Sequence, residues 1–241
     1  MAIRIDPSTP PAVAEQSSSL TTASFTPPAG SLLVALTGFA AGLTPTISNS
    51  GPSLTWERRV TMGYLEDGAN EGERGVSTIF TAWCPTSQAV TVTATSPDSG
   101  DGGGLKVYVV TGVDPENPVG ATSQEAIWED APWATSLYTP TQVGSVAVFT
   151  STNWYINDPG DEDSTDSAYV SEYWRAGSSL LQGIAGYQAE PASSTGTPLP
   201  ITLNSPTGLW RGNLVSIEVL PGEGGPEPTP VYFRGWGQPL V

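Results

Sequence analysis

Apolar residues recur at alternate positions through most of this chain, and the spacing of an amphipathic helix is nearly missing. Residues 18–25 are rich in Ser and Thr and end on Phe25, which reads as a first strand. Pro27-Pro28-Ala29-Gly30 is a turn, because Pro fixes φ and Gly permits the reversal. Leu32 to Leu36 are nearly all apolar, the pattern of a strand covered on both faces. Leu54 to Val60 and Val76 to Trp83 alternate. In Ala89 to Thr95, Val90 and Val92 share one face. In Leu105 to Val110, the pattern sets Leu105, Val107 and Val109 inward, with Lys106 and Tyr108 outward. Further strands are predicted at 145–151, 168–175, 180–188, 199–203 and 210–219. Gly, Pro, Ser and Asp fill the connections, and the loops Ser96–Gly104 and Asn157–Asp166 are predicted to be exposed.

The two halves echo each other. Phe25-Thr26-Pro27 leading through Gly30-Ser31 into Leu32-Leu33-Val34 reappears as Tyr138-Thr139-Pro140 leading through Gly144-Ser145 into Val146-Ala147-Val148. Val90–Thr93 followed by Leu105–Val109 resembles Leu199–Leu203 followed by Leu214–Val219, at a similar offset of about 110 residues. The expectation is an all-β chain: a single jelly-roll-like β-sandwich with pseudo-repeated halves over residues 18–220. Two tandem sandwiches are the rival. Residues 1–17 are expected to be an N-terminal arm, with a strand at Ala2–Ile5. Residues 221–241 are a Pro/Gly linker and an aromatic peptide, Val231-Tyr232-Phe233-Arg234-Gly235-Trp236 onward, too small for a core of its own. It packs back on the sandwich or docks on a neighbour, with Tyr232, Phe233 and Trp236 as anchors and Arg234 as a fork of donors.

Charge narrows the partners. The formal net charge is −16, and Lys106 is the only lysine among eight scattered cations. Such a surface repels phosphate, which argues against nucleic acid and anionic membrane. No run approaches the roughly 20 apolar residues that cross a bilayer. Met1 to Asp6 has no stretch of signal-peptide length, so synthesis in a cytoplasm is expected. Cys84 is the only cysteine, so no internal disulfide can form.

The chain has no histidine, which removes Ser-His-Asp and Cys-His catalysis and His-containing zinc sites. No phosphate-binding glycine motif precedes a helix. The expectation is no enzyme, no cofactor and no metal. Three weaker candidates remain. Paired carboxylates suited to glycoside hydrolysis would come from Glu125, Glu129 and Asp130 beside Trp128 and Trp133, or from Glu172. A sugar-stacking face would use Trp154, Tyr155, Tyr173 and Trp174; adjacent rings on a strand point to opposite faces, so one of each pair should face outward. Asp161, Asp163 and Thr165 have alternate spacing that suits calcium but lack the full EF-hand pattern.

One resemblance adds to this. Phe25-Thr26-Pro27-Pro28-Ala29-Gly30-Ser31-Leu32-Leu33-Val34, Leu54-Thr55-Trp56, Thr81-Ala82-Trp83, and Val107-Tyr108-Val109-Val110-Thr111-Gly112-Val113-Asp114 with Pro118-Val119-Gly120 resemble a family of virion-associated β-sandwich proteins from phages of actinobacteria. It covers roughly residues 15–220, through fold motifs and not catalytic ones. The resemblance implies a phage virion structural protein, placed first as a minor tail protein. The alternatives are a capsid decoration protein and a carbohydrate-binding module for host attachment. The implied partners are other virion proteins, copies of itself in the particle and host cell-surface glycan.

Overall fold

A computed structural model of the protein describes residues 2–40, 43–63, 75–97, 102–129, 133–153, 162–176, 181–204 and 210–222. Among the described residues there is no helix. The strands are β1 (Arg4–Ile5), β2 (Val13–Glu15), β3 (Ser19–Thr21), β4 (Ser31–Phe39), β5 (Thr46–Asn49), β6 (Trp56–Gly63), β7 (Val76–Cys84), β8 (Val92–Thr95), β9 (Gly103–Thr111), β10 (Val119–Glu129), β11 (Trp133–Tyr138), β12 (Val146–Asn153), β13 (Ser164–Thr165), β14 (Tyr169–Arg175), β15 (Gln182–Gln188), β16 (Leu199–Asn204) and β17 (Trp210–Val219).

They form four antiparallel sheets. One large sheet has the order β1-β9-β4-β7-β6, with β2 also on β9. The other has the order β10-β17-β12-β15-β14. The small sheets are β3-β8-β5 and β11-β16-β13.

Side-chain parity stacks these sheets. From β4 and β9, Leu33, Ala35, Phe39, Leu105, Val107 and Val109 pack with Leu20, Val92 and Ala94 of the first small sheet. The opposite parity, Leu32, Val34, Leu36, Tyr108 and Val110, meets Val146, Val148, Val215 and Ile217 of the second large sheet. Beyond it, Ala147, Phe149, Ile184 and Leu214 pack with Tyr138, Ile201 and Leu203 of the second small sheet. The large sheets therefore lie face to face, with a small sheet outside each. Both faces of β4 and β12 are covered, and every residue of either strand is buried. This explains their near-continuous apolar sequences.

The all-β expectation holds among the described residues, and each half brings two sheets and a core of its own besides the shared one. One expectation is corrected here. Lys106 and Tyr108 do not point to solvent: they are 6% and 4% exposed. Alternation does place them opposite Leu105 and Val107, but that second face is covered by the other half. The N-terminal arm contributes β1 and β2, both paired with β9 at the end of the first large sheet.

Candidate functional site

The four residues of the aromatic docking peptide, Tyr232, Phe233, Arg234 and Trp236, lie outside the described residues, as do Trp154 and Tyr155. The other two candidate sugar-stacking rings are on β14. Tyr173 is half-buried and its hydroxyl donates to Gln182 Oε1 at 2.6 Å. Burial pushes the Tyr173 phenol above its ordinary range, against the opposing pull of Arg175. Trp174 is 4% exposed, which corrects the reading of it as a sugar platform. Its ring lies where Cβ atoms on Gly38, Gly104 and Gly183 would stand, so these three glycines on β4, β9 and β15 make its slot. A ring clamped by backbone from both large sheets has no face left for a pyranose.

The candidate carboxylate sets do not converge among the described residues. Glu125 is exposed on β10; Glu129 follows on the same strand, and Asp130 lies outside the description. Of the candidate calcium ligands, Asp161 is outside it. Asp163 is buried and accepts from Asn153 Nδ2 at 3.2 Å, whereas Thr165 Oγ1 pairs with Ser171 Oγ at 2.9 Å. The two side chains therefore serve different neighbours, and no cluster suited to a metal ion occurs among the described residues.

Glu172 does something else. It sits two residues from Trp174, hence on the same face of β14. It forms an ion pair with Lys106 Nζ on β9, and that ammonium also donates to Pro10 O at 2.9 Å. The other Glu172 oxygen accepts from Ala12 N at 3.0 Å. Lys106 also lies 5.4 Å from the Tyr108 ring centroid, within cation–π range. One buried ammonium and one carboxylate thus join three pieces: the arm between β1 and β2, the first large sheet and the second. No sequence signal links positions 106 and 172, which explains why the pair is invisible before folding.

A second polar connection crosses the same interface. Ser77 Oγ and Thr152 Oγ1 lie 3.2 Å apart, Thr152 Oγ1 donates to Asn213 Oδ1 at 2.9 Å, and Asn213 Nδ2 donates to Gly75 O at 3.0 Å. The path begins and ends in the first half and passes through β12 and β17. Buried hydroxyl and amide groups that satisfy one another in this way fix the relative position of two apolar faces.

Glu218 on β17 is fully buried. Its Oε1 accepts from Thr141 N at 2.7 Å and Gln142 N at 3.2 Å, and its Oε2 from Ala121 N at 2.9 Å and Thr141 Oγ1 at 2.6 Å. Burial pushes its pKa up, but the donors from Ser145, Thr141 and Ala121 outweigh it and hold the carboxyl below its ordinary range.

The last feature is a groove. One wall is Ile3-Arg4-Ile5 on and beside β1; the other is Val146 with Tyr187, Gln188, Ala189 and Pro191. It encloses about 310 Å³. β1 ends its sheet, so one edge of that strand has no sheet neighbour among the described residues. Pro221 and Gly222 contact segments that adjoin both walls. Gly222 N donates to Gly112 O at 2.9 Å, and the Gly112 Cα faces the Ala2 carbonyl just before the first wall. On the other side Pro221 packs on Gly144, whose N–H donates to Ala192 O at 2.8 Å, one residue past Pro191. Compared with known proteins, the chain matches no family model, no curated protein and no solved structure.

Proposed function

We propose that this chain is a structural component of a phage virion, most simply a minor tail protein that assembles through sheet edges and terminal segments. The resemblance in residues 15–220 supports this reading. The observation that carries it is the use to which two buried ionic groups, Lys106 and Glu218, and the half-buried Glu172 are put. Lys106, Glu172 and Glu218 each spend their charge on fastening strands or turns of this chain to one another. That is the economy of a body built to hold its shape and present its surfaces.

The finer architecture belongs to the same reading. The orders β2-β9-β4-β7-β6 and β10-β17-β12-β15-β14 correspond strand for strand, as do β3-β8-β5 and β11-β16-β13. This supports two jelly-roll-like sandwiches related by duplication and packed back to back through their large sheets. The echo of Phe25–Val34 in Tyr138–Val148 falls on the turn entering β4 and the turn entering β12, which are equivalent places.

The test is to locate the chain in purified particles. A tail protein is expected at a copy number far below that of the capsid lattice, with density on the tail. Stoichiometry matching the capsid lattice would move it to a decorating role. Absence from particles would end the virion reading.

A further inference from the structure

We infer that the groove beside β1 is the receptor for the aromatic peptide Val231–Trp236 of a second copy of this chain. The inference deepens the assembly reading and rests on it. Three observations lead here.

The groove and the departing chain share one place. Pro221 and Gly222 contact Gly112, beside Ala2, and Gly144, bonded to Ala192, so the chain leaves the described body close to residues that adjoin both walls. Every copy therefore presents a receptor and the root of a peptide side by side, the layout of a head-to-tail or reciprocal exchange.

The linker is long enough to reach beyond its own groove. The wall Ile3–Ile5 is roughly 10 Å long at about 3.3 Å per strand residue. Glu223 to Pro230 carries prolines at 226, 228 and 230, a composition that favours extension at about 3.1 Å per residue, roughly 25 Å in all. A semi-rigid spacer of that length favours holding the peptide away from its own root and is long enough to reach a neighbour's groove.

The chemistry is complementary. A free strand edge beside apolar walls takes an extended peptide by strand addition, with alternate side chains entering the groove. The half-buried Ile5 and Tyr187, backed by the buried Ile3 and Val146, offer an apolar surface to a ring, and the volume is at the small end of known ligand sites, about 300–1,000 Å³, which suits one or two side chains. On the rim, Arg4 is exposed and forms no ion pair among the described residues. Its charge is complementary to the acidic linker residues Glu223 and Glu227. On a chain of net charge −16 such a cation offsets the repulsion between copies.

The experiment uses the full chain with a photo-crosslinking residue at Glu190, which is exposed and flanked by the lining residues Ala189 and Pro191. Light and heavy isotopic chains are mixed, irradiated and digested. The expected result is crosslinks from position 190 to residues 231–236 that join light to heavy chains. Crosslinks confined within one chain would overturn the second copy as occupant, and no crosslink to the peptide would overturn the groove as receptor. In sedimentation, the Arg4→Glu variant should weaken self-association roughly tenfold, and simultaneous Tyr232→Ala, Phe233→Ala and Trp236→Ala should abolish it. Unchanged association in both would equally refute the inference. Mixed crosslinks from a chain that is absent from particles would sink the virion reading alone, and a particle protein without them would sink this inference alone.

Discussion

The strand that flanks β9 in the first half and the strand that flanks β17 in the second solve the same problem differently. In the second half it is the single long strand β10, with a register shift between Val119 and Thr122. In the first half it is broken into β1 and β2, and Pro7, Pro10 and Pro11 lie in or near the break. Proline lacks the N–H a ladder needs, so the break follows from the sequence. At each irregularity a carboxylate takes up a backbone N–H: Glu218 that of Ala121, Glu172 that of Ala12. The difference lies in where the acid comes from. Glu218 belongs to the same half as the strand it secures, whereas Glu172 reaches across from the other half. One fastener is internal, and the other is also a joint between halves.

That contrast can be attacked from several sides. The strongest blow to the joint is Trp174→Ala, beside Glu172 on β14, which should cost about 3–5 kcal/mol in urea unfolding because the slot cannot collapse. Gly104→Ala, which drives a methyl into the same ring, should cost about 1–3 kcal/mol. If Gly104→Ala proves neutral, the slot is not tightly packed.

Glu218→Gln should lose about 2–3 kcal/mol, since an amide nitrogen then faces backbone donors. It should also flatten the acid limb of the stability curve. The Glu218 pKa is depressed in the folded protein, so its contribution is present above the ordinary carboxylate pKa and lost as pH falls through the folded value. Hydrogen exchange should show the loss confined to β10, β17 and the turn after Tyr138. Loss spread equally over β9 would erase the distinction between the two fasteners.

Glu172→Gln should cost about 2 kcal/mol, because it strands a buried ammonium, and should raise exchange in both halves. Lys106→Met should cost only about 1 kcal/mol, since the Glu172 side chain it leaves behind is 40% exposed and can be hydrated. The reverse ranking would mean that the ammonium reaches water. Equally small, Tyr169→Phe removes the 2.7 Å bond to Pro200 O and should cost about 1 kcal/mol. Burial raises Tyr138 and Tyr169 to about 12 from an ordinary value of 10. Their contribution is complete below pH 10 and fades as the pH climbs through 12, an alkaline limb that Tyr169→Phe should shrink.

The strands buried on both faces were the legible part. β4 announces itself by an apolar run and β7 and β9 by alternation, and the predicted bounds of these strands and of β12 and β17 fall within a few residues of the observed ones. β10 and β11 left no such signal. β10 ends its sheet, and Thr122, Gln124, Glu125 and Ala126 are exposed, so nothing forces a pattern on it. Gly103 and Gly104 were expected in the exposed loop Ser96–Gly104 and are instead the buried start of β9, small because Phe39 and Trp174 fill the space a side chain would need. Lys106 misled for a deeper reason. Alternation tells which residues share a face but not whether that face is wet, and a stack of more than two sheets turns outward positions into inner ones. The joint itself depends on residues far apart in sequence, and only the packed sheets bring them together.

Lys106 carries the one side-chain amine in the protein, and folding shuts it away. Reagents that seek lysine, such as aldehyde fixatives, succinimidyl dyes and amine-coupled sensor chips, would find no side-chain handle on the intact fold. Immobilisation through carboxylates, which are abundant, is the practical alternative. A sudden gain of amine labelling at position 106 would also serve as a simple chemical alarm that the two halves have come apart.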